Sequence, residues 1–334
     1  MITAIAAIIM FSLLIMFHEG GHFLAAKSAG IKVNEFSIGM GPKIFSKKSG
    51  DTTYSLRILP IGGYVAMEGE DGESSDPASF QKASVWNRMK VVLAGAFTNF
   101  VLAFIIFAIL NLSAGMLTTT IGELSPDYPA FESGMLVGDK IIKINDKEID
   151  EWTDIINAFS DIKEGDSVKV LAIRVGEEIS LNMKAKEMDG RSVIGVKPEV
   201  SHNFFRALKE AFSFIIKMIQ LMFLFLHNLV RGAVTKNDVA GPIGVISEVG
   251  KAAANGWQHL LLLMGFLNVN LGFFNLLPIP ALDGSRFMFL LIETLRGKPI
   301  NPEKEAIVHF IGFIILMVLM AYILFLDLGK LGVL

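Results

Sequence analysis

Five consecutive residues, His18-Glu19-Gly20-Gly21-His22, carry the side chains most capable of chemistry in this chain. On a helix the two imidazoles are four residues apart and leave from the same face. Two neutral imidazoles at that spacing can hold one zinc ion, with the intervening Glu close enough to act on a water molecule. Ahead of them, Met1 to Phe17 is apolar and carries no charge. A Glu at the end of such a run is costly and needs a reason to be there. The plainer reading is a helix end whose polar groups reach back to the interface, since HExxH also arises by chance in soluble helices. With only 6 His in the chain, its position at the end of a membrane-length run favours the metal.

A carboxylate that could complete such a site lies far downstream. In Asn275-Leu-Leu-Pro-Ile-Pro-Ala-Leu-Asp283-Gly284, two prolines prevent a regular helix. Irregular backbone at membrane depth is tolerated only where it is buried in protein or lines a wet cavity. Asp283 is therefore a candidate third ligand, with a helix N-cap as the competing role. Two His and one Asp leave a fourth position open for water, the arrangement of catalytic zinc sites. The other His compete poorly: His202, His227 and His259 fall on the outer side of the expected topology, and His309 has no acidic partner in its span. Asn99 lies within a second apolar run, where an interhelical hydrogen bond is at least as good a reading as catalysis.

The elements that must position these residues follow from hydropathy. The chain has 334 residues, 52% of them hydrophobic, and a mean hydropathy of +0.53. These values suit a membrane protein with a soluble insert. A net charge of -3 argues against a nucleic-acid partner, and the absence of Cys excludes disulfides and thiolate metal sites. Four spans are expected, over about 2–25, 91–112, 257–278 and 306–326. The first lacks the basic leader of a signal peptide and reads as a retained span. The stretch 26–90 bears Lys27, Lys32, Lys43, Lys47, Lys48, Arg57, Lys82, Arg88 and Lys90, so it faces the cytoplasm by the positive-inside rule. Within it, 34–45 and 52–67 read as small β-hairpins and 68–76 as an acidic solvated loop. Residues 203–231 are helical by period but interrupted by Lys209, Glu210, Lys217, Gln220 and His227, which fits a helix lying in the interface; the alternative is a further span, which would reverse the topology of everything after it. Ala240 to Val245 reads as a turn.

Residues 116–198 form a composition island with more charge and short β-type segments. Pro129-Ala130 through Gly134, Gly138-Asp139 and the strand Lys140 to Ile144 resemble a PDZ domain of the protease-associated kind. Such a domain presents a groove that takes an extended chain as an added strand.

Together, HEGGH on the first span, FSIGMGP, RILPIGGYVAM, the PDZ-like insert and NLLPIPALDGSR resemble the site-2 protease family. The match is to the bacterial RseP/RasP type of intramembrane zinc metalloprotease, with one PDZ domain, and it covers nearly the whole chain. The resemblance implies a multi-span α-helical membrane protein with membrane-associated β-hairpins and an inserted extracytoplasmic PDZ domain. It divides the chain into 1–115, 116–198, 199–256 and 257–334: two spans with the HExxH, the PDZ domain, interfacial helices, and two spans with the LDG motif. By the same resemblance, His18, His22 and Asp283 ligate Zn2+, Glu19 is the general base, Asn275 holds substrate backbone or the developing oxyanion, and the segment around Gly62 and Gly63 guides substrate as a β-edge. The implied substrates are single-span membrane proteins such as anti-sigma factors, or remnant signal peptides, already trimmed by a site-1 type protease. The implied location is the bacterial cytoplasmic membrane, with the active site near its inner side. The competing readings are an inactive membrane-anchored PDZ scaffold and, more weakly, a transporter or channel.

Overall fold

In the computed structural model, the described residues are 2–70, 72, 74–188, 190–235 and 240–330. Helix α1 (Ile2–Ser28) leads into the long strands β1 (Val33–Ser49) and β2 (Thr52–Met67), followed by α2 (Val85–Ala114). Next come β3 (Met116–Leu124), α3 (Pro129–Glu132), β4 (Lys140–Ile144), β5 (Lys147–Glu148), α4 (Trp152–Phe159), β6 (Ser167–Arg174), β7 (Glu177–Lys184), β8 (Lys186–Met188), β9 (Arg191–Val193) and β10 (Val196–Ser201). The chain continues with α5 (Phe204–Val230), α6 (Pro242–Ala254), α7 (Trp257–Leu276), α8 (Asp283–Arg296) and α9 (Pro302–Lys330). It forms two compact units, one of residues 1–108 and 209–334, the other of 109–208.

The first unit is mostly helix. Five helices, Thr3–Ser28, Val85–Ala114, Phe204–Val230, Trp257–Leu276 and Glu303–Lys330, are long and apolar enough to cross a membrane. Thus 203–231, expected to lie in the interface, also qualifies as a span by length and composition. Small residues let helices approach closely here. Gly265 of α7 lies against the Phe107 ring of α2, and Gly272 against Ala96 and Phe100.

Where separate small hairpins were expected, β1 and β2 pair with each other in one long antiparallel hairpin, from Val33 opposite Met67 to Ser49 opposite Thr52. Bulges between Val33 and Phe45 bend it. Its base buries Val33 and Val65 with Ala26, Met89, Val91 and Leu290. Its far half exposes Met40, Ile44, Phe45, Leu56, Ile58 and Leu59. The following acids are tied down rather than merely solvated: Asp76 pairs with Lys32 at 2.8 Å, Glu68 accepts from Asn34 and Ser74, and Glu70 pairs with Arg286. Asp71 and Glu73 of that loop lie outside the described residues.

Ala240 to Val245 is only in part a turn. Helix α6 begins at Pro242, a residue suited to the first helical position. Its open N–H groups are capped from far away: Asp327 of α9 accepts from Gly241 N at 3.1 Å and Gly244 N at 3.0 Å.

The second unit is a sheet of order β10-β3-β4-β6-β7, with β5 paired to β4 and β8–β9 a separate hairpin. Alternation along β6 (Val168, Val170 and Ala172 inward) is that of a half-buried strand. Val168 and Val170 pack with Ile121, Ile141, Ile144, Met183 and the apolar face of α4. Strand β10 runs to Ser201 and pairs Ser201 with Met116, so the sheet extends beyond 198.

Candidate metal centre

The end of α1, the middle of α2 and the start of α8 meet at one point of the first unit. His18 and His22, one helical turn apart, have ring centroids 4.8 Å apart at 85°. Their Nε2 atoms are 3.3 Å from each other. Asp283 Oδ2 lies 3.2 Å from Nε2 of His18 and 3.3 Å from Nε2 of His22. Both imidazoles are buried. Among the described residues, this trio is the only set of three or more such groups placed to share an ion.

The spacing fits a metal. A tetrahedral zinc with bonds of about 2.0–2.1 Å has ligand–ligand edges of about 3.3 Å, which the three observed distances match. Oδ2 of Asp283 is also buried with no donor aligned on it, the state of an oxygen waiting for a cation. Helix α8 starts at Asp283. The carboxylate nevertheless points to the imidazoles, so the competing N-cap role is not what the geometry displays.

The imidazoles are oriented from behind. Nδ1 of His22 donates to the Val91 carbonyl at 2.8 Å, which leaves the Nε2 lone pair facing Asp283. Nδ1 of His18 is 3.1 Å from the Asn99 amide, whose Oδ1 is buried without a partner. With the amide reversed, Oδ1 accepts from Nδ1–H of His18, and the second Nε2 is freed in the same way. Asn99 is 0% exposed. Gly95, one turn before it, is where α2 comes closest: a Cβ there would run into the imidazoles of both His22 and His18.

Glu19 shares with these three residues a cavity of about 170 Å³, also lined by Val65, Met67, Glu70 and Arg286. A neighbouring cavity of about 570 Å³ shares Glu70, Val92 and Arg286 with it and adds Arg88, Glu293 and Glu305. At about 30 Å³ per water molecule, that charged space holds several. Arg88 and Glu293 form a two-pronged pair within it at 2.5 and 3.1 Å.

The other candidate residues divide. Gly63 lies directly beside the site: a Cβ there would be 3.7 Å from Cγ of Glu19 and only 2.7 Å from the Ser37 carbonyl. Gly62 is left-handed (φ +88) and packs against Met40. Asn275 stands apart, half-buried on the last turn of α7 and not among the residues lining the 170 Å³ cavity. Gly95 is the contributor that residue type did not single out; Asn99, weighed above as an interhelical hydrogen bond, makes that bond to His18 of α1. Their signal is a small residue and an amide one helical turn apart in an otherwise apolar run.

The family model of peptidase family M50 matches residues 6–319. The chain belongs to peptidase family M50. The enzyme is similar to a putative zinc metalloprotease of Clostridium acetobutylicum, 36% identical over 97% of this chain and 96% of that protein. It is similar to one of Clostridium perfringens, 38% identical over 97% of each. It is also 32% identical to the regulator of sigma-W protease RasP of Bacillus subtilis, over 98% of this chain and 99% of that one. A quarter of the chain is similar to 86% of the solved PDZ domain of an SdrC-like protein from Listeria monocytogenes, at 21% identity and a TM-score of 0.22. The enzyme is a zinc metalloprotease of the site-2, RasP-like kind and a multi-pass membrane protein.

Proposed function

We propose that this M50 enzyme hydrolyses peptide bonds within or beside the transmembrane segments of single-span membrane proteins, with zinc held by His18, His22 and Asp283. The observation that carries this reading is the triangle of Nε2, Nε2 and Oδ2 with edges of 3.2–3.3 Å, in a small cavity shared with Glu19.

Zinc bound by these groups supplies Lewis acidity and brings the pKa of water towards neutrality. Glu19 accepts the proton of the attacking water and passes it to the leaving amide nitrogen. Val91 and Asn99 keep the imidazoles turned with Nε2 inward, and Asn275 assists the oxyanion or substrate backbone once substrate is in place. A substrate helix keeps its carbonyls in i to i−4 bonds, so it must unwind before cleavage. Gly63 brings the backbone of β2 beside Glu19, Gly62 carries the strand on past Met40, and an edge there offers hydrogen bonds to the freed segment.

In this proposal residues 116–198 are an extracytoplasmic PDZ domain that screens substrates by size, admitting those whose outer domain a site-1 type protease has removed. The active site lies near the cytoplasmic face of a bacterial membrane, and anti-sigma factors or remnant signal peptides are the substrates. Purified enzyme with and without a zinc chelator, incubated with a panel of single-span fragments and products mapped by mass, tests it. Glu19→Gln should keep zinc and lose cleavage by about 100-fold or more. Asp283→Ala should lower zinc occupancy. Wild-type cleavage by Glu19→Gln, or full occupancy in Asp283→Ala, would remove that residue from its role.

A further inference from the structure

The loop that delivers Asp283 contains a backbone conformation its residue does not favour. The bond from Leu282 N to Ile279 O at 3.1 Å closes a four-residue turn over Ile279-Pro280-Ala281-Leu282. Pro280 occupies its second position and Ala281, with φ +76, its third. That is the pattern of a type II turn, whose third position normally requires Gly or Asn because a Cβ is crowded at positive φ. Here it is Ala. Two residues later the helix starts and Asp283 points at the imidazoles.

Something outside the loop must hold the turn in this form. The last helix supplies it. Nδ1 of His309 accepts from the Ala281 N–H at 3.1 Å. Accepting at Nδ1 puts the ring proton on Nε2, which faces Glu305 one turn earlier at 3.8 Å. The ring also lies against Phe289 of α8, with centroids 5.6 Å apart. Three residues after His309, Gly312 gives room to the turn: a Cβ there would strike Cβ of Pro280 and come within 2.6 Å of its carbonyl oxygen. An acceptor and a gap on one face of α9 thus fit the two central residues of the turn.

We infer that His309 is a positioning residue for the metal centre: it fixes Ala281 in the left-handed conformation and thereby aims Asp283 at His18 and His22. The inference rests on Asp283 being a zinc ligand. Sequence alone sets His309 aside for want of an acidic partner within 306–326, but the helix begins earlier and Glu305 faces its Nε2; its function here is to accept a hydrogen bond from backbone.

The test reads zinc affinity of the full-length enzyme in detergent by competition with a chromophoric chelator. His309→Leu, which removes the acceptor, should weaken zinc binding about ten-fold or more, the usual scale for groups that orient a ligand. His309→Asn, whose Oδ1 stands where Nδ1 stood, should return affinity to within about three-fold of wild type. Ala281→Gly in the His309→Leu background should recover most of the loss, because Gly adopts positive φ without help. Wild-type affinity in His309→Leu would overturn the inference. So would a loss that neither His309→Asn nor Ala281→Gly repairs, since that marks a general packing defect. Asp283→Ala is the reference. If it too binds zinc normally, the ligand assignment has failed; if it weakens binding while His309→Leu does not, only the positioning role has failed.

Discussion

Both units bury apolar side chains, but they differ in which polar groups they bury with them and in how much apolar helix surface they expose. In residues 109–208 the fully enclosed side chains are Ile121, Met135, Ile141, Ile144, Val168, Val170 and Ile194, and charges lie outside. The polar exceptions, Thr118, Thr119 and Asp139, are few, and Asp139 is paired with Arg174. In the helical unit the enclosed groups include His18, His22, Asn99 and Asn268, while Ile5, Ile9, Ile307, Phe310 and Phe313 are exposed. One unit is built as water dictates, with apolar area removed from solvent. The other is built for a solvent as apolar as its own side chains. There the hydrophobic effect does not hold helices together, and a buried polar group signals a task.

Removal of residues 116–198 tests this division most severely. Every group that faces the metal triangle lies outside them, so zinc content should be unchanged. If the insert is a size filter, the truncated enzyme should cleave intact substrates that the full chain rejects. Loss of cleavage with zinc retained would make it a docking site instead.

A core truncation should act on one unit alone. Ile141 is 0% exposed in the centre of the sheet core. Ile141→Ala should cost about 2–5 kcal/mol of that unit's stability. Hydrogen exchange across 109–208 in the full-length protein reads it, and zinc occupancy should not move. A fall in occupancy would show that the two units are energetically coupled.

In the helical unit the sensitive position is polar. Asn99→Leu keeps the volume but leaves Nδ1 of His18 without its partner. Zinc affinity should drop about 10–100-fold, or about 1.4–2.8 kcal/mol at 1.4 per ten-fold. Unchanged affinity would leave the bond between Asn99 and His18 as an interhelical contact with no part in holding zinc.

What was legible in the sequence was local. Two His one turn apart announce themselves, as does an apolar run with a Glu at its end. Asp283 came from a proline break and a family likeness, because nothing local says that positions 18 and 283 meet. The hairpin pairing of β1 with β2 was obscured, since their Gly and Pro residues look like the ends of short hairpins when they are bends within a long one. The start of α6 inside 240–245 was obscured because its cap, Asp327, is 83 residues from Gly244. Gly95 contributes by having no side chain, and His309 by accepting from a main-chain N–H across the fold. The only mark of either along the chain is the one-turn spacing of Gly95 from Asn99.

The smallest effect belongs to Asp139, among the described residues the one buried carboxylate of the soluble-type core. Burial of Asp139 works to raise its pKa. Against that, Arg174 donates from Nε to Oδ1 and from Nη2 to Oδ2, both at 2.8 Å, and Leu136 N–H donates at 2.8 Å. These bonds win, and the carboxyl is held below its ordinary range. A folded-state pKa below the unfolded one means the unfolded chain binds the proton more readily, so stability rises with pH. The contribution is complete above the unfolded value of about 4 and disappears as pH falls through the lowered one. Hydrogen exchange of 109–208 should therefore show less protection at about pH 3 than at pH 7. Asp139→Asn should be less protected at pH 7, because Arg174 loses its partner, and should change less on acidification. If wild type and variant lose protection in parallel, this pair contributes nothing measurable, and the water-adapted unit tolerates a buried charge without using it.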